Sequence, residues 1–176
     1  MRADIDGAVH IARIARGFGW PWTEPDVTRF CQATGWSILH EDRGLGPSLR
    51  TNLDVHLPHC SVDFSSRIMD RQPGGGGIID GLVIYVADSE RLPLVKTQSA
   101  AAHRQLRDRL IEELGPVSEY VFGEDLDTDY WRRPDVVVSI HPHDAFILMK
   151  LVNPRYQRWL DEDGAHDFMY GDEDDD

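Results

Sequence analysis

A chain of 176 residues with 41% hydrophobic and 28% charged residues can bury one hydrophobic core and has the composition of an ordinary folded domain. Its formal net charge of -13 repels phosphate backbones and anionic membrane surfaces, which argues against nucleic acid and membrane and favours a basic partner. No apolar run approaches the roughly 20 residues of a membrane helix and no signal-peptide core follows Met1, so a cytoplasmic protein is expected, with Cys31 and Cys60 as buried free thiols.

Residues 5–18 place Ile5, Ala8, Val9, Ala12, Ala15 and Phe18 at helical spacing and turn Asp6, His10, Arg13 and Arg16 away, which predicts an amphipathic helix. Gly17, Gly19 and Pro21 break it. Thr23 then reads as the N-cap of a second helix, with Pro25 in its first turn, Asp26 three residues after the cap and Gly35 as its stop.

Residues 49–57 alternate, with Leu49, Thr51, Leu53, Val55 and Leu57 on one face and Arg50, Asn52, Asp54 and His56 on the other, as in a half-buried strand. After Pro58 the alternation resumes, with Cys60, Val62, Phe64 and Ser66 inward and Ser61, Asp63, Ser65 and Arg67 outward, as in an antiparallel neighbour. Residues 78–86 are apolar on both faces apart from Asp80 and Gly81, which predicts a central strand covered on both sides.

The longest helix is expected over 89–114, with Val95, Ala102, Leu106 and Leu110 as its stripe and Gly115 and Pro116 as its end. Residues 136–141 and 145–152 read as a hairpin, and Asn153 and Pro154 open a short helix through Leu160. Residues 1–170 form the expected single domain, and 171–176 an acidic, disordered tail. Helices and strands do not alternate, so the expected class is α+β, a mainly antiparallel sheet packed with helices.

Gly74 to Gly77 suggest a phosphate cradle, but they precede a strand instead of following one and lack the Lys-Ser/Thr of a P-loop. They read better as a turn, or as a loop that inserts into a partner's cleft with Arg71 and Gln72 beside it. Asp125, Asp127 and Asp129 copy the opening of a calcium loop, yet Tyr130 stands at the glycine position and Val136 at the glutamate position, which excludes an EF-hand.

His56, His59 and Cys60, and separately His141 and His143, are close enough in sequence to raise a metal site, although strand ends commonly carry solvent-facing histidines. No serine lies in an elbow motif, both cysteines read as core, and no carboxylate pair stands out among 31 Asp and Glu residues. A non-enzyme without a metal or cofactor is therefore expected. Trp20 and Trp22 read as core, whereas Trp131, beside Tyr130, Arg132 and Arg133, reads as a more open residue of the interface hot-spot kind.

The segments ARGFGWPWTEPDVTRFC, RQPGGGGIIDGLVIYVAD and RRPDVVVSIHPHDAF resemble an actinobacterial family of small antitoxins, the immunity factors for the tuberculosis necrotizing toxin, and the likeness spans essentially the whole chain. The resemblance implies an immunity protein that binds a cognate secreted NAD-hydrolysing (NAD glycohydrolase) toxin, one to one, and occludes its cofactor cleft to protect the producing cell. The residues expected at that contact are Arg71, Gln72, Pro73, Gly74, Gly75, Gly76 and Gly77 with Asp54, Asp63 and Trp131. An acidic adaptor for another basic partner is the alternative that the charge equally supports.

Overall fold

The Asp4 carboxylate accepts a hydrogen bond from the Gly7 N–H at 2.8 Å and so caps helix α1 (Ile5–Gly17), which buries Ala8, Val9, Ile11, Ala12 and Ala15. Helix α2 (Glu24–Thr34) begins with the Thr23 N–H donating to Asp26 Oδ2 at 2.8 Å and ends at Gly35, left-handed at φ 74°. Between the helices Trp20 stacks on Trp22 with ring centroids 4.5 Å apart, and both are buried. Trp22 also adopts a left-handed backbone, φ 60°, held by its Nε1–H bond to the Asp135 carbonyl and by the Ile79 N–H bond to its own carbonyl.

The computed structural model describes residues 1–42, 46–64, 77–88, 96–121 and 128–170. Among them four helices and nine strands make a single α+β domain. The strands are β1 (Arg2–Ala3), β2 (Ser37–Asp42), β3 (Gly46–Arg50), β4 (His59–Phe64), β5 (Ile79–Asp88), β6 (Glu119–Val121), β7 (Thr128–Arg132), β8 (Val137–Pro142) and β9 (Phe146–Val152). They pair antiparallel in the order β2-β3-β4-β5-β9-β8-β7-β6, with β1 against the end of β5. No helix among the described residues is long and apolar enough to cross a membrane.

One face of the sheet carries Leu49, Cys60, Val62, Leu82, Ile84, Met149, Leu151, Val138 and Ile140, all buried. The longest helix, α3 (Lys96–Leu114), covers it with Leu106, Leu110 and Leu114, and packs beside α1. Each such leucine side chain contributes on the order of 2 kcal/mol by leaving water.

The opposite face is covered differently from the sequence expectation. Val83 and Tyr85 of β5 are half-buried there, because helix α4 (Pro154–Tyr170) crosses only the end of this face near Gly81 and Val152. Gly81 lets β9 approach closely here: a Cβ would lie 2.9 Å from the Leu151 carbonyl oxygen of that neighbouring strand.

Residues 51–58 correct a second expectation. Thr51, Leu53 and Val55 are buried as the alternation implied, but Leu57 is 50% exposed and the segment is not a strand. Three of its backbone donors go to side chains instead of a ladder: Asp54 N–H to Asp4 Oδ2 at 2.8 Å, His56 N–H and Leu57 N–H to the two oxygens of buried Asp88 at 2.9 and 2.5 Å.

Strands β1, β2, β6 and β7 were not anticipated, and α4 runs past the expected end at Leu160. The expected tail at 171–176, residues 65–67 of the expected second alternating strand and 89–95 of the expected long helix lie outside the described residues.

Candidate functional site

Strand pairing sets one row of polar side chains across the face that α4 only partly covers. Lys150 of β9 lies opposite Ser139 of β8, which lies opposite Tyr130 of β7, while Val83 of β5 flanks Lys150 on the other side. With period-two alternation, His141 and Thr128 stand one step along the same face and Asp63 of β4 stands opposite Gly81. α4 closes the end with Tyr156, Gln157 and Leu160, because Asn153 anchors its start: the Asn153 N–H donates to the Asp80 carbonyl at 2.9 Å and its side-chain amide to the Ile79 carbonyl at 3.1 Å. Arg132 reaches Asp161 of α4 at 2.8 Å and Glu119 of β6 at 2.5 Å, which ties the helix to the sheet.

The result is a hollow of about 180 Å³ lined by Asp63, Val83, Tyr130, Ser139, His141 and Lys150 from the sheet and by the three α4 side chains. At its floor the His141 ring bonds two hydroxyls, Nε2 to Ser139 Oγ at 2.8 Å and Nδ1 to Thr128 Oγ1 at 3.3 Å. Burial, then the charges of Lys150 and His143, lower the His141 pKa to about 4. Partial desolvation raises the Asp63 carboxyl above its ordinary value, and the Lys150 ammonium opposes that shift.

A serine beside a histidine invites a nucleophilic reading, but the second ring nitrogen meets a threonine instead of a carboxylate. An imidazolium at His141 would face Lys150 and His143 without compensation, which opposes proton abstraction from Ser139. The arrangement instead fixes hydroxyl dipoles beside a cation.

That buried neutral imidazole makes stability pH-dependent. The folded pKa near 4 lies below the unfolded value of about 6.5, so the unfolded chain binds more protons between them. The stabilisation is complete above pH about 6.5 and is lost as pH falls towards 4, by roughly 2 kcal/mol once the ring's partial exposure is allowed for. Urea unfolding at pH 7 and pH 4.5 should show this decline in the native chain and a smaller one in His141→Gln. Equal declines would remove His141 as the cause.

Beyond the hollow, an aromatic row continues along the same face: His59 to Tyr85 at 6.3 Å, Tyr85 to Phe146 at 5.5 Å, Phe146 to His143 at 4.3 Å. Among the described residues no three His, Cys, Asp or Glu side chains group as a metal site. His59 lies on this face whereas Cys60 is buried on the helix side.

The expected contact residues scatter. Asp63 lines the hollow, and Gly77 sits close by, where a Cβ would meet the Phe64 ring at 2.9 Å. The Gly77 carbonyl accepts from the Glu24 N–H at 3.1 Å, so the entry to β5 is fixed to the start of α2. Arg71, Gln72, Pro73, Gly74, Gly75 and Gly76 lie outside the described residues. Asp54 pairs with Arg2, which is in register with Asp88, so most of the length of β5 separates it from Asp63, roughly 23 Å at about 3.3 Å per residue.

Trp131 is a correction. It is 0% exposed, on the helix-facing side of β7, with its Nε1–H donating to the Gly115 carbonyl at 3.0 Å, and so cannot meet a partner. Ser139, His141 and Lys150 were not foreseen as a site. The available signal was the pair of polar residues at alternate positions in an otherwise apolar strand, Ser139 and His141.

No curated protein and no solved structure matches the chain. A family model matches it from within α1 to the residue after β9 and thus covers every sheet residue of the hollow. The chain belongs to DUF6301, a family of unknown function, over residues 6–153.

Proposed function

We propose that this chain is an immunity protein that binds an NAD-hydrolysing toxin in the cytoplasm and occludes the toxin's cofactor cleft, without catalysing a reaction itself. The likeness of its three quoted segments to the immunity factors carries the reading. The partly covered sheet face supports it. A hollow of about 180 Å³ is smaller than the roughly 300–1,000 Å³ of small-molecule sites, and suits a side chain of a partner better than a cofactor. The net charge of -13 would speed association with a basic toxin surface.

The test is a titration of toxin-catalysed NAD hydrolysis with the full chain. Inhibition should saturate near one to one, and undiminished hydrolysis at tenfold excess of the folded chain would overturn the reading. A bulky Gly75→Trp substitution should weaken inhibition at least tenfold with the fold intact. Unchanged inhibition by that variant would remove the glycine segment from the contact.

A further inference from the structure

A lysine in the middle of a sheet strand needs an anion, or water, for its ammonium. Arg13, Arg29, Arg107, Arg109 and Arg132 each reach a carboxylate within 3.0 Å. Lys150 makes no hydrogen bond or ion pair among the described residues, although the chain has 31 acidic residues against 18 basic ones. Asp63, on the rim, feels its charge without pairing to it.

One of the two hydroxyls that bond the His141 ring also has a proton to spare. His141 is neutral, so one ring nitrogen donates and the other accepts. Two hydroxyls bond that ring, and whichever one receives the ring's N–H keeps its own proton for another acceptor. Thr128 and Ser139 are both buried, and of the two Ser139 lines the hollow. In the tautomer protonated at Nε2, Thr128 donates to Nδ1, Nε2–H donates to Ser139, and the Ser139 O–H is free for an acceptor in the hollow. The Tyr130 hydroxyl comes from the next strand in the same row.

Lys150 and the two hydroxyl side chains Ser139 and Tyr130 line a space with Val83, Val152 and Leu160 in its walls. We propose that this hollow receives one carboxylate side chain, an Asp or Glu, of a docked protein partner, with Lys150 as counter-ion, Ser139 and Tyr130 as donors, and the apolar wall around the methylene stem. The proposal rests on the reading of the chain as a protein-binding protein. The volume of about 180 Å³, some six water molecules' worth, takes such a side chain but not a larger metabolite. Asp63 opposes entry of a second negative charge and so keeps the free site weak.

The probe is sodium acetate, titrated at constant ionic strength against sodium chloride into isotope-labelled full-length chain and followed by NMR. Saturable shifts are expected at Ser139, His141 and Lys150, with a dissociation constant on the order of 1 mM. They should weaken at least tenfold in Lys150→Met and strengthen in Asp63→Asn. Should Lys150→Met fail to fold, Tyr130→Phe keeps the charge and should weaken binding about threefold.

Absence of saturable shifts in the native chain would overturn the proposal, as would acetate affinity unchanged in the folded Lys150→Met or, where that fails to fold, in Tyr130→Phe. No toxin is present in this titration, so its failure leaves the inhibition result untouched. In the saturated toxin complex the acetate shifts should vanish. Their persistence would show that no partner side chain fills the hollow.

Discussion

Replacing Trp131 with alanine is expected to destabilise the fold by about 3–5 kcal/mol, the range for removing a fully buried large aromatic. The side chain has no exposed surface, and its indole N–H holds the carbonyl of Gly115, the residue that ends α3 in a left-handed turn at φ 87°. Truncation therefore opens a cavity between β7 and α3 and also leaves the Gly115 carbonyl without this donor. Trp131→Phe keeps most of the volume and should lose less than half as much. Urea unfolding with tyrosine or far-ultraviolet detection measures both variants. A Trp131→Ala midpoint equal to that of the native chain would contradict the packing described here.

Asp129→Ala should cost about 2–4 kcal/mol, because it leaves two cationic or donor side chains of α3 without their buried acceptor. Asp129 is 0% exposed, and its Oδ1 accepts from Arg107 Nε at 2.8 Å. His103 Nε2 lies 3.4 Å from Oδ2, within ion-pair range but without a well-aligned hydrogen bond, so this contact is the weaker one. Burial alone would raise the Asp129 pKa. The contacts from His103 and Arg107, with the charge of Arg107, outweigh it and hold the carboxyl below its ordinary value.

The sign follows from that depression. The contribution is present above the unfolded carboxylate pKa of about 3.9 and is lost as pH falls through the lower folded value. Asp129→Ala should therefore be destabilised at pH 7 and lose less additional stability than the native chain below pH about 4. Parallel acid-unfolding curves for the two proteins would exclude Asp129 as a contributor. The third aspartate of the calcium-like spacing is thus engaged by Arg107.

The helices were legible because their caps and stripes are local: Asp26 behind Thr23, Gly35, and Leu106 with Leu110 all act within a turn or two of chain. Residues 51–58 misled because alternating burial is also produced by an irregular segment whose backbone N–H groups at Asp54, His56 and Leu57 are taken by Asp4 and Asp88, each more than 30 residues away. β2 gave no period-two signal, since Ile38 and Leu39 are adjacent and both exposed. β7 was hidden by the acidic residues before it and by an aromatic pair that looked like surface.

The hollow was illegible for a different reason. Asp63, Tyr130, Ser139 and Lys150 come from four strands, and only register places them together. A one-residue slip of β9 would put Met149 where Lys150 stands.

The seam between Trp22, Glu24 and the start of β5 bears on how this scaffold changes over generations. Two backbone hydrogen bonds, from the Glu24 N–H to the Gly77 carbonyl and from the Ile79 N–H to the Trp22 carbonyl, define where the chain rejoins the sheet. Loop-closure entropy grows so slowly that doubling a flexible connection adds only about 0.6 kcal/mol. The anchors of β5 thus lie outside residues 65–76, and a change of sequence or length there does not touch the two bonds that seat the strand.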